Sequence, residues 1–253
     1  MKPSRLPLKG RVAIVTGGGG GIGRAIARHL RREGARVALG DIVPAAAVRR
    51  RLRDFHYTEM DVSDPAAIAA WLDKVEKDLG RPDLIVSNAA VVEIAGPLEI
   101  SAAAWRRTLD INLTGAFAVA QLAARRLVTA QRPGRIVFIG SWAAHAPHPR
   151  LIAYCAAKAG LRMAMQCLAA ELAPHRILVN EVAPGKVDAG LSRKIFDATP
   201  GLREKARNEV PAKILLDADD VARGVSYLFS PETLQATGSV LLLDGGLSLV
   251  RPV

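Results

Sequence analysis

The chain has 253 residues, half of them apolar and 4% aromatic, with 35 Lys plus Arg against 24 Asp plus Glu for a net charge of +11. That length and apolar content bury a large core, which excludes disorder as the main state. The length would allow two domains, although α/β sheets often reach it as one, and the basic excess raises the question of a polyanionic partner.

Apolar runs of strand length alternate with longer helical patterns. Residues 11–16 read as a buried strand. They are followed by Thr16-Gly17-Gly18-Gly19-Gly20-Gly21-Ile22-Gly23 and then by helical spacing at Ile22, Ala25, Ile26 and Leu30, closed by Gly34. Residues 36–40 form the next predicted strand, 45–53 a short basic helix and 55–59 a third strand. Asp64-Pro65, a cap followed by proline at the first helical position, opens a helix over 66–79. Residues 84–87 read as a strand, 102–130 as one long helix, 135–140 as a strand, 151–173 as a helix and 176–182 as a strand. The stretch 190–213 has no single clean period. Residues 217–229 read as a capped helix and 240–243 as a last strand. Strand–helix alternation with continuous apolar strands predicts a parallel sheet covered by helices on both faces. With no linker, repeat or low-complexity tract, residues 1–253 are expected to form a single domain.

The glycine loop lies between the first strand and the first helix. Glycines there permit a tight turn and close backbone approach to a pyrophosphate, while the helix N-terminus supplies free N–H groups. Asp41 closes the second strand, 18 residues after Gly23. A carboxylate at this place can accept both adenosine ribose hydroxyls and repels a 2′-phosphate, which favours NAD over NADP. Arg24 argues the other way, since it could pair with that phosphate.

Tyr154 and Lys158 share a helix face at a spacing of four. A neighbouring ammonium favours the phenolate of a tyrosine, making Tyr154 a usable acid or base near neutral pH. Ser141 follows the strand over 135–140, at the carboxyl edge where parallel sheets bind ligands. Cys155 and Cys167, twelve residues apart on one predicted helix, would sit roughly 18 Å apart, beyond the ~7 Å Cα limit of a disulfide. The beginning of the chain holds no apolar stretch of signal-peptide length, and no window of about 18 uncharged apolar residues occurs. A reducing cytoplasm is the expected location and no membrane contact is expected. His145 and His148 lack companions at ligand spacing, so no metal site is expected.

Taken together, these residues resemble the short-chain dehydrogenase/reductases in their roughly 250-residue, NAD(P)-binding form, nearly end to end. The glycine loop, including Gly17, Gly21, Ile22 and Gly23, is similar to the TGxxxGIG cofactor motif. Asp61-Val62 matches the pair that contacts the adenine, and Asn88-Ala89 the motif after the fourth strand. Asn112, Ser141, Tyr154 and Lys158 match the catalytic tetrad, with Ser141 13 residues before Tyr154. Pro184-Gly185 with Val187 matches the motif beside the nicotinamide, and Thr237-Gly238 and Asp244-Gly245-Gly246 the C-terminal signature. The resemblance implies a Rossmann-like, doubly wound parallel sheet of about seven strands. It also implies hydride transfer between a carbinol carbon and the nicotinamide. In that scheme Tyr154 takes the hydroxyl proton, and Lys158 lowers its pKa and bonds the nicotinamide ribose. Ser141 orients the substrate oxygen, and Asn112 holds a water that relays protons from Lys158. Departures from the family pattern are Ser87 and Ala90 around Asn88-Ala89, Gly140 in place of the first serine of a common Ser-Ser pair, and Ala189 where many members carry a threonine.

By the same resemblance, residues 186–213 form a lid over the substrate. Glu93, Ser141, Trp142, His145 and Leu191 are expected to line the substrate pocket, together with Ile94 and Ala143. Apolar walls suit an alicyclic or steroidal alcohol; polar and basic ones suit a sugar, a polyol or an anion. The helices over 102–130 and 151–173 form a dimer interface in the resembled family, so a homodimer or homotetramer is expected. The leading expectation is an NAD-preferring secondary-alcohol dehydrogenase or ketoreductase. The alternatives are an NADPH-dependent 3-oxoacyl carrier-protein reductase, opposed by Asp41, and a catalytically idle polyanion-binding protein. The last is opposed by the intact tetrad and the lack of any nucleic-acid motif, so no nucleic acid is expected as a partner.

Overall fold

The computed structural model describes residues 6–250, apart from the side chains of Leu191, Lys194 and Ile195. Seven strands form one parallel sheet: β1 (Val12–Thr16), β2 (Arg36–Asp41), β3 (His56–Glu59), β4 (Leu84–Ser87), β5 (Gly134–Ile139), β6 (Ile177–Pro184) and β7 (Val240–Leu243). Their order is β3-β2-β1-β4-β5-β6-β7, so the direction of winding reverses between β1 and β4. Every residue of β1, β4 and β5 is buried, as a strand covered on both faces requires.

Alternate strand residues feed two cores. On one face Ala13, Val15, Val37, Leu39, Val137 and Val182 meet helices α1 (Gly21–Arg32), α2 (Ala45–Leu52) and α9 (Ala218–Phe229). On the other, Ile14, Ala38, Ile85, Ile136, Phe138 and Val179 meet α3 (Pro65–Leu79), α5 (Ala116–Thr129) and α6 (Ile152–Leu172). Fully buried side chains such as Ile26, Leu30, Ile68 and Phe138 each contribute roughly 1.5–3 kcal/mol of hydrophobic stabilisation. The caps read from the sequence are present. Asp64 accepts from the Ala66 N–H at 2.9 Å, with Pro65 opening α3. Asp217 and Asp220 exchange side-chain-to-backbone bonds at 2.7 and 2.8 Å, forming a capping box that starts α9. Across the α1–α9 packing, the His29 imidazole bonds Asp219 at 3.1 Å.

Two expectations change. The predicted helix over 102–130 is two helices, α4 (Ala102–Leu109) and α5, joined by a π-helical turn at Asp110–Gly115. Hydropathy continues through the turn, so the pattern hid it, although Asn112 and Gly115 are weak helix formers in an alanine-rich stretch. Gly115 lies against β3's connection to α3, where an added Cβ would meet the Val62 carbonyl at 2.5 Å. The unassigned stretch over 190–213 holds α7 (Gly190–Ala198) and α8 (Leu202–Glu209), separated by Gly201 at φ +77°. Each helix is too short to display a clear period.

Candidate active site

The cleft lies above the carboxyl ends of β1, β4, β5 and β6, where the sheet reverses, and has a volume of about 600 Å³. Such a crevice is where open α/β sheets bind ligands. Gly17, Gly21, Ile22, Gly23, Asp41, Asp61, Val62, Asn88, Tyr154, Lys158, Pro184, Gly185 and Val187 all line it. Ser141, Trp142, Ala143 and Ile94 line it too. The structure therefore brings the glycine loop and the Ser–Tyr–Lys set into one continuous space.

The loop is shaped for close approach by a ligand. Gly17 adopts φ +67°, and an added Cβ on Gly23 would overlap the Gly17 carbonyl, 2.9 Å from its carbon. Gly20 precedes α1 with no side-chain cap, so the first N–H groups of that helix have no capping side chain. Asn88 ties the loop to β4: its Nδ2 donates to the Thr16 and Gly17 carbonyls at 2.8 and 3.3 Å. Asp41 accepts from the Gly19 N–H at 2.8 Å and from the Val43 N–H at 3.0 Å, which holds its carboxylate at the rim of the cleft. Arg24 does not line the cleft; its Nε donates back to the Gly20 carbonyl at 3.2 Å. Gly21 abuts the start of α7, where an added Cβ would stand 2.9 Å from the Gly190 nitrogen. Ala189 lines the cleft at the same place. The cleft thus fits a dinucleotide: backbone donors at a helix start, no side chains in the turn and a carboxylate at the end of β2.

At the other end, β5 delivers Ser141 and α6 delivers Tyr154 and Lys158. Ser141 Oγ accepts from the Ala143 N–H at 3.1 Å, leaving its own proton to give. Lys158 is buried, and its Nζ donates to the Ile139 carbonyl at 2.8 Å. Burial lowers the lysine pKa to about 8, against a smaller opposing pull from Glu181. Burial raises the Tyr154 pKa, and a hydrogen bond with Ser141 only partly offsets this. The expected lowering of Tyr154 by the neighbouring ammonium is therefore not what this structure carries. Nζ lies 5.7 Å from the centre of the tyrosine ring, and partial removal of the phenol from water is the largest influence on its titration.

Asn112 is fully buried in the π-turn and does not line the cleft. Its Oδ1 accepts from the Val91 N–H at 2.8 Å and its Nδ2 donates to the Val91 carbonyl at 2.7 Å. Both side-chain groups are thus engaged with the loop after β4. That side chain clamps the loop carrying Val91, Val92 and Ile94 into the cleft.

Two expected substrate contacts fall elsewhere. Glu93 and His145 are exposed and lie outside the lining, while the Leu191 side chain is outside the described residues. His148 lines the cleft instead; it meets the Trp142 ring edge-on at 4.0 Å, and burial lowers its pKa. A loop of mixed polarity offered no periodicity by which to choose between the two histidines. From 190–213 the cleft receives Gly190, Ser192, Phe196, Leu202, Ala206 and Glu209, whereas Arg193 and Arg203 turn away to ion-pair with Asp188 and, for Arg203, Asp197 as well. Sequence reasoning also missed the ion pair of half-buried Arg162, whose guanidinium reaches the Ser141 carbonyl, with buried Glu181. Among the described residues no group of three or more His, Cys, Asp or Glu could hold a metal ion, and no helix is long and apolar enough to cross a membrane.

Comparison with known proteins gives concordant results. A family model described as enoyl-(acyl carrier protein) reductase matches residues 17–248. Cis-4-hydroxycyclohexanecarboxylate dehydrogenase of Sinomonas cyclohexanicum is 35% identical over 246 residues, covering 95% of this chain and 97% of that protein. D-threitol dehydrogenase of Mycolicibacterium smegmatis is 34% identical over 96% of this chain and 94% of its own. The crystal structure of a short-chain type dehydrogenase/reductase from Mycobacterium marinum superposes with a TM-score of 0.88 at 29% identity, covering 96% of this chain and 97% of that one.

Proposed function

Because the chain belongs to the short-chain dehydrogenase/reductase family, whose members use nicotinamide cofactors, we propose that it is an NAD-preferring oxidoreductase of a largely apolar, alicyclic secondary alcohol and its ketone. The observation that carries this reading is the continuity of one cleft from Asp41 and the glycine loop to Ser141, Tyr154 and Lys158.

The glycine loop and the start of α1 would hold the pyrophosphate, Asp41 the adenosine ribose, Asp61 and Val62 the adenine, and Pro184, Gly185 and Val187 the nicotinamide side. When bound, the cofactor supplies the two-electron redox partner for the carbinol carbon. The protein's own groups handle the oxygen. Ser141 Oγ, anchored by Ala143, keeps its proton and offers it as a hydrogen bond to the substrate oxygen, stabilising charge developing there. Tyr154 Oη gives its proton to that oxygen during reduction and accepts it during oxidation. Because burial keeps Tyr154 protonated at neutral pH, reduction is favoured there and oxidation gains as pH rises. Lys158 Nζ carries the proton reserve behind the tyrosine, held in place by the Ile139 carbonyl. Asn112 serves this set through the loop it clamps.

NAD preference is supported by Asp41 lining the cleft while Arg24 folds away from it. The substrate class is supported by Val92, Ile94, Trp142, Leu151, Phe196 and Leu202 in the lining, and by the outward ion pairs of Arg193 and Arg203. A ring-bearing substrate related to that named for the Sinomonas relative fits these walls better than a sugar. We further propose that residues 1–253 act as one domain, with α7 and α8 as the substrate lid. Exposed apolar residues on α6, Ile152 and Met163, support assembly into a homodimer or homotetramer; a monomer by light scattering would overturn that. The test of function is turnover of a panel of alicyclic, steroidal and sugar alcohols with NAD, in wild type and in Tyr154→Phe. Turnover of alicyclic alcohols by wild type, lost in the variant while NAD still binds, is expected. Undiminished turnover in Tyr154→Phe refutes the assignment.

A further inference from the structure

Gly140 directly precedes the candidate catalytic serine, and its φ is not in the left-handed region. Backbone conformation therefore does not demand a glycine there; space does. An added Cβ would fall inside the carboxyl group of Glu181, 2.7 Å from Glu181 Cγ. Glu181 lies on β6, beside β5, and is only 1% exposed. Arg162 of α6 grips it with two bonds, Nη2 to Oε1 at 2.7 Å and Nε to Oε2 at 3.0 Å. The same Nη2 also reaches the Ser141 carbonyl at 3.2 Å. A largely buried fork of this kind is geometrically specific but is a poor source of net stability, because the acid loses its water altogether and the guanidinium loses most of its own. Its location beneath Ser141 invites a functional explanation.

We propose that Arg162 and Glu181 are positioning residues for the reaction: Glu181 fixes the guanidinium, the guanidinium fixes the main chain that presents Ser141, and the two opposite charges cancel beneath Tyr154 and Lys158. The proposal rests on the function given above. Gly140 is the accommodation that makes room for the acid. The cancellation matters because Glu181, taken alone, raises the pKa of both Tyr154 and Lys158. Other groups around them are Cys155 on α6, the Ser141 hydroxyl after β5 and the Ile139 carbonyl of β5. Lys186, on the loop after β6, lines the same cleft but is paired with Glu209.

The test needs no turnover. The pH at which the Lys158 amine becomes reactive toward acetic anhydride is followed by mass spectrometry in the free protein, with a wild-type midpoint expected at about 8. Glu181→Gln leaves an uncompensated guanidinium and should lower the midpoint; Arg162→Met leaves an uncompensated carboxylate and should raise it. Each change should be about 1.5 pH units, as for a unit charge ~8 Å away at an effective dielectric near 20. The double variant should return to within a few tenths of a pH unit of wild type. Single variants that leave the midpoint unmoved, or move it in the same direction, overturn the proposal. If Arg162→Met does not fold, Glu181→Gln against the double variant carries the same comparison. A second arm reads space: Gly140→Ala should lose most turnover through kcat, with KM little changed, and Gly140→Ala combined with Glu181→Ala should regain part of it. Full activity in Gly140→Ala alone refutes the packing claim. Midpoints that move as stated in a protein that oxidises no alcohol remove the proposed function and leave the pair's role standing. Turnover with unmoved midpoints does the reverse.

Discussion

Replacing Asn112 by alanine separates a clamp from a proton relay. The wild-type amide makes two bonds to one residue, 2.8 Å from the Val91 N–H and 2.7 Å to the Val91 carbonyl, at a fully buried position. Alanine removes both partners at once and leaves a backbone donor and acceptor unmatched. Each such group costs about 1–3 kcal/mol when shut away from water. Val91 is only half-buried, so about 1.5 kcal/mol for each group, about 3 kcal/mol in total, lowers the thermal midpoint of a chain this size by roughly 6–12 °C. The damage should be local as well as global. The Val91 amide, protected in wild type, should exchange with deuterium far faster in the variant, and faster than amides of β5 measured in the same sample. Catalysis falls because Val92 and Ile94 leave their places in the cleft wall, so KM should rise together with any fall in kcat. An unchanged melting temperature with Val91 still protected would refute the clamp.

The remaining expectations are simpler. Asp41→Ala should shift the ratio of NAD to NADP use toward NADP, read as kcat/KM for each cofactor; a wild type that already prefers NADP would refute the reading of Asp41. Gly23→Ala should abolish NADH binding, followed by nicotinamide fluorescence, because its Cβ would overlap the Gly17 carbonyl and force the loop open. Lys158→Met should abolish turnover and yet stabilise the protein at neutral pH. The fall of the lysine pKa from 10.5 to about 8 corresponds to a burial penalty of roughly 3 kcal/mol. That penalty is complete below about pH 8 and fades as pH rises toward 10.5. The gain in melting temperature should therefore shrink across that interval, and a variant less stable than wild type at pH 7 would contradict the sign.

Much of the site was legible because its chemistry is local in the chain. The glycine loop joins one strand to one helix, Asp41 ends the next strand, and Tyr154 and Lys158 are neighbours on one turn. Each announces itself by residue type at a fixed spacing. What stayed hidden depends on contacts between distant segments. Glu181 read as one polar residue in an apolar strand, and nothing near it in sequence pointed to Arg162 or explained Gly140. The π-turn was invisible because one extra residue in a helical ladder barely disturbs hydropathy. The rise of the Tyr154 pKa follows from how deeply the phenol is enclosed, and spacing from Lys158 carries no information about enclosure. Nothing in the spacing of Arg193 and Arg203 shows that Asp188 and Asp197 hold them away from the cleft.

The approach of Gly21 to Gly190 ties two regions that lie far apart in the chain. One opens the helix beneath the dinucleotide loop, and the other opens the first helix of the segment over the substrate cleft. An anion seated at that junction would touch both, and on the proposed reading of this segment as a cover its binding energy would be shared between loop and cover by mass action. Cofactor occupancy and order in residues 190–209 would then be thermodynamically linked. The rate at which a protease cuts that segment becomes a gauge of how much dinucleotide the protein holds.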